Sequence, residues 1–501
     1  MKKTVALLIS AVAFMGMQSA FAADAAKTEA QADAKKVDLS MVNSATFKNM
    51  GPYYDMWMGS KKDSRYEDLV ATYPGFSIIQ GMTEAPAGAS LAASRGHYYA
   101  WLDFAAGART TKVGSRCLMC HSSSAPAIIE RDGENALLSS TWADYADLGA
   151  NTIGCINCHD PKTFQLRVAP KWLDKELQKA GLPTFAESSK AQQKRLICAQ
   201  CHYEDYRTHL SWQNKDGQVK KVNVSTTPWK NGFTLDQMEA FYNDGKNFPD
   251  GKPFVDMVNP ISKTPLIWPE HPDFELFSVG VHGKNGVSCT DCHMAKNKKT
   301  GVTNHLISNP LDDFENACAS CHDKPKQFYV DMLKERKAKA NKLMADAVEN
   351  VAKAHLDAGA AWKAGATEKE MAPVLADIRS AYFKLTSVIR PQWFHSTEET
   401  FNGLADALFK SERARLTSLK VMNAHGVKDY TTPTFKNKEE AEALVGLKNR
   451  HGVMAEQCAS YYKEVPQLVE TARKAGYFDE NSAWNDNVKT WITEYCQKPT
   501  K

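Results

Sequence analysis

Past residue 22 the chain has no apolar run of the roughly 20 residues needed to span a bilayer. It has no basic tract either: 62 Lys and Arg stand against 58 Asp and Glu, for a formal charge of +4. An interior membrane span and a nucleic-acid-binding surface are therefore without support. Only the start is strongly apolar. "MKKTVALLISAVAFMGMQSAFAAD" sets Lys2 and Lys3 before a short apolar core and the small-residue ending Ala20-Phe21-Ala22, which predicts a secretory signal over residues 1–22. Residues 23–40, mostly Ala, Lys, Asp and Glu without periodicity, read as a disordered lead-in. The mature chain is expected to be soluble and exported to a bacterial periplasm, with length for two or three domains.

Twelve cysteines in an exported chain would ordinarily suggest disulfides. Their spacing suggests otherwise. Ten fall in five copies of Cys-x-x-Cys-His: Cys117, Cys120 and His121; Cys155, Cys158 and His159; Cys198, Cys201 and His202; Cys289, Cys292 and His293; Cys318, Cys321 and His322. This pattern attaches a c-type haem, the two thiols forming thioethers with the porphyrin and the histidine ligating iron. Zinc knuckles or redox pairs are the competing chemistry, but five repeats behind an export signal favour haem, which is attached outside the cytoplasm. The haem propionates would add about ten carboxylates, enough to make the holoprotein acidic. Cys458 and Cys496 lie outside every motif. A disulfide between them is expected in this compartment, and closing that loop would contribute roughly 3–4 kcal/mol.

Residues 41–325 are rich in Gly and Pro with short helical pieces, so the five haems are expected to form much of their core. From residue 326 to 501 the chain changes character. Its long helix "QFYVDMLKERKAKANKLMADAVENVAKAHLDA" sets Leu343, Ala347, Val351 and His355 along one face. Thr367 in "TEKE" and Ser396 in "STEE" open capping boxes, and segments near 437–463 and 466–475 have a helical pattern. The fold is expected to be all-α: a haem-packed N-terminal half followed by long C-terminal helices.

A low-spin electron-transfer haem takes two strong axial ligands, whereas a catalytic haem keeps one side open. Five motif histidines leave nine others, at 97, 209, 271, 282, 305, 355, 395, 425 and 451. Four distal ligands among them would leave one haem open. His282 lies in "GVHGKNG", where glycines let the backbone approach a flat cofactor; His97 lies in "RGHYY", His305 in "TNHL", and His395 directly before the Ser396 cap. His425 and His451, each in "HG", read as helix-terminus residues.

In "SRGHYYAWLD", "GCINCHD", "CAQCHYED", "SKTPLIWPEHPDFELFSVGVHGKNGVSCTDCHMAK", "HLISNPLDDFENACASCH" and "FHSTEETFNGL" the chain resembles the pentahaem, ammonia-forming cytochrome c nitrite reductases over residues 50–430. The resemblance implies distal ligands His305, His97, His395 and His282 for the second, third, fourth and fifth haems. The first haem is left open as the active site. It also implies that Arg109 attracts and orients nitrite, that His271 serves as a pocket proton donor, and that calcium binds beside the active haem. Glu204, Glu270 and the carbonyls of Asp205 and Trp268 would hold the calcium, with Glu270 standing where the family usually has glutamine. A homodimer through the long helices, and a membrane-bound quinol-oxidising cytochrome or iron–sulfur electron donor, are likewise implied.

Two positions depart from the family pattern. His121 replaces the usual lysine at the active haem, as in a minority branch. Asp205 replaces the tyrosine that lines the substrate pocket, with Tyr206 next to it as a possible substitute. An added carboxylate there would repel nitrite and favour a neutral or cationic substrate such as hydroxylamine, and the rival reading is a related reductase acting on hydroxylamine or sulfite. A third reading, an electron conduit of five low-spin haems, would need His209 or His271 as a distal ligand on the first haem.

Overall fold

A computed structural model describes residues 47, 49–60, 72–80, 96–101, 115–145, 151–389 and 393–446. The signal, the lead-in, Arg109, His451, Cys458, Cys496 and the helical segments expected beyond residue 446 lie outside the described residues.

The chain is mostly helical, but the all-α expectation needs correcting. Two antiparallel hairpins interrupt the haem-motif half. β1 (Tyr206–Gln213) pairs with β2 (Val219–Thr226), and a two-residue β3 (Met257–Val258) pairs with β4 (Pro265–Leu266). The reason is local. "YRTHLSWQ" and "VKKVNVST" are rich in Thr, Val and aromatic residues, which favour strands. "NKDG" turns between them, with the Asn214 carboxamide oxygen accepting from the backbone N–H groups of Asp216 and Gln218 and with Gly217 at φ +77°.

Around the hairpins the haem motifs coil into single turns. The His159 N–H donates to the Cys155 carbonyl at 2.9 Å, His202 to Cys198 at 2.9 Å and His322 to Cys318 at 3.0 Å. Such a turn brings both cysteines and the histidine of a motif to one side of the backbone. The third motif begins on α1 (Lys190–Ala199), whose Ser189–Gln192 capping box is reciprocal. α2 (Leu235–Asn243) opens on an equivalent box, Thr234 with Gln237, and α3 (Asp273–Val279) leads toward the fourth motif.

The C-terminal half is a helical bundle. α4 (Lys326–Lys363, 38 residues), α5 (Glu368–Ser387, 20 residues) and α6 (Thr397–Ala424, 28 residues) pack side by side. On α4, Ala340, Met344, Ala347, Val351, Ala354, Ala358 and Ala361 are buried, alternating four and three residues apart. On α6, Thr400, Gly403, Ala407, Ser411, Ala414 and Ser418 are buried at steps of three or four residues. This spacing is the seam of a left-handed helix pair, and its small side chains allow close approach. The outer face of α4 carries (i, i+4) ion pairs: Glu335–Lys339, Lys342–Asp346 and Glu349–Lys353. Buried polar pins fix the register. Arg415 donates to Asp357 at 3.0 Å and Asn350 at 2.6 Å, and Asp357 also accepts from the Tyr430 hydroxyl at 3.0 Å. Arg379 on α5 reaches back to Asn243 at 2.8 Å and to the carbonyls of Phe254 and Pro265 at 2.6 and 3.0 Å, tying the bundle to the haem-motif half.

The Thr367 box forms as the sequence predicts. The Glu370 carboxylate accepts from the Thr367 hydroxyl and backbone N–H, and it also contacts His425 at the end of α6. Ser396 caps α6 through the Glu399 N–H, but Glu399 instead accepts from the Leu235 N–H at 2.8 Å, joining α6 to α2. α7 (Lys438–Leu444) is the last described helix.

The Thr367 contacts, with His425 beside them, pull Glu370 from its ordinary value of 4.5 down to about 2. Because the folded value is the lower one, the contribution to stability is complete above about pH 4.5 and is lost as pH falls toward 2. Melting temperatures of the wild type and Glu370→Gln should differ at neutral pH and converge in this acid window. A constant difference down to pH 2 would contradict the cap's role.

Candidate active site

Four of the histidines are oriented by what their Nδ1 atoms touch. Nδ1 of His121 lies 3.0 Å from the carbonyl of Ala100, that of His159 2.8 Å from Phe164, that of His293 3.0 Å from Ser308, and that of His305 2.9 Å from Thr303. A carbonyl can only accept, so each Nδ1 carries the proton and each Nε2 keeps its lone pair for a metal. The backbone adopts uncommon geometry to do this. Phe164, whose own carbonyl meets His159, is held at φ +55°, and Ile307, next to Ser308, at φ +48°. A bulky residue in the left-handed region persists only where its surroundings hold it there. Phe164 is fixed by edge-on packing against Phe47 and by the turn that Asp160 closes.

Four of the motif histidines face a second histidine. His159 and His305 have ring centroids 6.2 Å apart, His202 and His97 6.4 Å, His293 and His395 6.4 Å, and His322 and His282 6.1 Å. Two imidazoles sharing one metal through nitrogen, at ~2 Å each and with ring centres about 1 Å beyond, sit about 6 Å apart. The spacing therefore fits a bis-histidine haem at each pair. Burial, reinforced by His202, His121 and His293, takes His97 down to about 4 and keeps it neutral, as a ligand must be. Burial also lowers His282, His293 and His305.

The motifs themselves adjoin. The Cys120 thiol lies 4.0 Å from the Gln200 carbonyl and the Cys201 thiol 3.7 Å from that of Met119, which joins the first and third motifs, and Lys194 on α1 lies 3.7 Å from Asp291 of the fourth, so the three follow one another. Residues 270–293 take the shape that places His282. α3 ends at Gly280, a short turn Val281–Lys284 carries His282, and Cys289–His293 follows. The glycines there serve close backbone packing. A Cβ on Gly280 would stand 2.0 Å from the His395 carbonyl oxygen, and one on Gly283 would stand 2.0 Å from that of Phe277.

At the first motif, Cys117 and Cys120 pack against a cluster that includes Tyr98, Trp101, Trp172, Tyr203 and Trp229. Asp205 points here and is neutralised. Its carboxylate forms an ion pair with Arg116 and accepts from the Tyr203 hydroxyl at 3.2 Å, while Arg116 also donates to Ser225 at 2.9 Å. The carboxylate is thus not a bare negative charge. Tyr206 does not substitute for the missing tyrosine. Successive side chains leave a strand on opposite sides, and Tyr206 lies in a second cluster, 5.1–5.7 Å from the rings of Phe254, Phe248, Phe241 and Tyr242. His271 is 5.8 Å, ring to ring, from His202. Arg116, Tyr203 and Asp273 carry no motif and escaped the sequence reading; the Arg directly before Cys117 was the one available signal for Arg116. His209 is exposed on β1, and His355 is buried in α4 with Nδ1 2.8 Å from the Ser262 hydroxyl.

The candidate calcium residues meet only in part. Glu204 is fully buried, accepting from the Tyr242 hydroxyl and the Glu270 N–H, each at 2.9 Å. Its own N–H donates at 2.9 Å to Glu275, which also accepts from the Trp229 ring N–H. Burial, then Glu275, raises Glu204 well above the carboxylate range, and burial raises Glu275 to about 8. The second Glu275 oxygen is buried with no hydrogen-bond partner. Two buried acids with an orphaned oxygen fit a cation. Glu270 fits less well, since its carboxylate is paired with Arg207 at 3.2 Å. Among the described residues no three His, Cys, Asp or Glu side chains form a ready metal cage.

Helical motifs with facing imidazoles define the class, a multihaem cytochrome of the c type. The family model Cytochrome c552 matches residues 43–481, and the chain belongs to this family, that of the cytochrome c nitrite reductases. It is 35% identical over 411 residues to a cytochrome c-552 of Aliarcobacter butzleri, covering 79% of each chain. It is also 35% identical over 462 residues to one of Desulfotalea psychrophila, covering 89% of this chain and 88% of the relative. Among solved structures it is similar to the catalytic subunit of cytochrome c nitrite reductase from Desulfovibrio desulfuricans, at TM-score 0.64 and 26% identity over 77% of this chain and 89% of that one. Two calcium sites are described for that protein.

The Arg116–Asp205 pair is nearly buried, with side-chain exposures of 13% and 4%. Removing one partner strands the other charge. Arg116→Met or Asp205→Asn alone should cost roughly 3–5 kcal/mol and the double variant much less than the sum, read by thermal unfolding. Additive losses would show that the two charges do not depend on each other.

Proposed function

We propose that the chain is a periplasmic cytochrome c with five haems that reduces nitrite to ammonium by six electrons at the haem of Cys117, Cys120 and His121. The observation that carries this reading is the set of four histidine pairs. They would supply both axial ligands to the other four motifs, and the resemblance assigns the open coordination position to the first. Bound in these positions, the haems would supply one-electron carriers and one open coordination position.

The chain's own residues supply the rest. The Ala100 carbonyl fixes the tautomer of His121, so that its Nε2 is the proximal donor. Arg109, assigned by resemblance, attracts and orients the anion, as a guanidinium does. His271, beside His202, is suited to deliver protons to a reduction that consumes many of them. Arg116 cancels the charge of Asp205 and removes the main objection to an anionic substrate, which favours nitrite over hydroxylamine. The contacts of the third motif with the first and fourth support a continuous electron path toward the first haem. Electrons would come from a membrane-bound quinol-oxidising cytochrome or iron–sulfur partner, since no described helix is long and apolar enough to cross a membrane. Exposed Phe409 and Leu416 on α6 support a homodimer through the long helices. Glu204 and Glu275 support calcium beside the active haem.

Purified oxidised protein should give a high-spin ferric EPR component that shifts on adding nitrite, and should form ammonium from nitrite. A purely low-spin, nitrite-insensitive spectrum would sink the reductase in favour of an electron conduit. Calcium at a hundredfold its Kd should stabilise the fold by about 2.7 kcal/mol, an effect that Glu204→Gln removes. An unchanged melting temperature in wild type would rule the calcium site out.

A further inference from the structure

Asp273 belongs to no motif, yet it stands between two of the proposed haem sites. It opens α3, and each oxygen of its carboxylate addresses a different imidazole. Oδ2 lies 3.2 Å from Nδ1 of His202, and Oδ1 lies 3.6 Å from Nδ1 of His395. His202 faces His97 in the third pair, and His395 faces His293 in the fourth. α1, which carries the third motif, meets the fourth through Lys194 and Asp291 at 3.7 Å and through Arg195 and the Val287 carbonyl at 2.9 Å, so these two sites are neighbours. α3 also holds His395 from its other end, where Gly280 packs against the His395 carbonyl.

We propose that Asp273 is a positioning residue shared by two haems, which sets the reduction potentials of the third and fourth together. The inference rests on the axial assignments made under the proposed function. Its physical basis is a contrast among the ligand histidines. His121, His159, His293 and His305 give their Nδ1 protons to neutral backbone carbonyls. His202 gives its proton to one carboxylate at 3.2 Å, and His395 turns its own toward the same carboxylate at 3.6 Å, an electrostatic contact longer than a hydrogen bond. A carboxylate draws the Nδ1 proton more strongly than a carbonyl does, and so makes Nε2 a stronger donor. Stronger donation favours ferric over ferrous iron and lowers the potential. One carboxylate serving both rings lowers both potentials. It also gives the two haems a common control, independent of their separate backbone surroundings.

The test is a potentiometric titration of the holoprotein followed by visible and EPR spectra. In Asp273→Asn two low-spin haems should move to more positive potentials while the others hold their values. Asp273→Ser, which keeps a side chain suited to a helix start but carries no charge, should move the same two and serves where the Asn variant does not accumulate. Asp273→Glu, which restores the charge, should bring both part of the way back. Unmoved potentials, or a shift in one haem alone, would overturn the proposal. His395→Met separates this failure from failure of the axial assignments. If it alters one low-spin signal while Asp273→Asn moves nothing, only the shared role falls. If it alters none, the assignments fall and the proposal falls with them.

Discussion

The structure depends on one constraint: an imidazole that is to ligate iron through Nε2 must have its Nδ1 proton taken up elsewhere. A free histidine ring rotates and exchanges tautomers, so a site built on eight or nine of them requires as many acceptors in fixed places. For His121, His159, His293 and His305 the chain meets this with backbone carbonyls, and it accepts left-handed backbone at Phe164 and Ile307 to aim two of them. The loops between haem motifs are thus shaped by the rings they orient. That accounts for a haem-motif half built of short turns while regular helix is reserved for the C-terminal bundle.

Charge follows a similar logic. The sequence shows a carboxylate at position 205 where its family has a phenol, and taken alone that change argues against an anionic substrate. In three dimensions Arg116 answers it, and Tyr203 donates its hydroxyl to the same carboxylate oxygen. Nearby, Glu204 and Glu275 are buried without a matching cation among their hydrogen-bond partners. Two adjacent acidic features therefore differ in kind. One is balanced by the protein, and the other is left for an ion.

What could be read from the sequence was whatever repeats or lies close in the chain. The five motifs, the Thr367 box, the long helix from residue 326 and the break at Gly280 all have local signatures. The distal histidines came from resemblance, since nothing in "RGHYY" or "TNHL" alone names the ring it will face. The hairpin of β1 and β2 had a usable signal in its "NKDG" turn and was missed under the weight of the helical pattern. Asp273 and the orienting carbonyls had none, and Arg116 had only its place before Cys117. Their roles arise from pairs such as His202 and His395, which meet only after the chain has folded.

The fourth histidine pair differs from the others in where its members come from. His97, His282 and His305, like the motif rings they face, belong to the haem-motif half, but His395 stands at the head of α6 in the bundle. On the proposed ligation, the fourth haem is a rivet between the two halves. A nascent or clipped chain that ended short of residue 395 would keep all five attachment motifs and still take up haem. It would then carry an iron open to dioxygen and peroxide at the wrong motif. On that ligation, completing the bundle would close the fourth iron to such ligands.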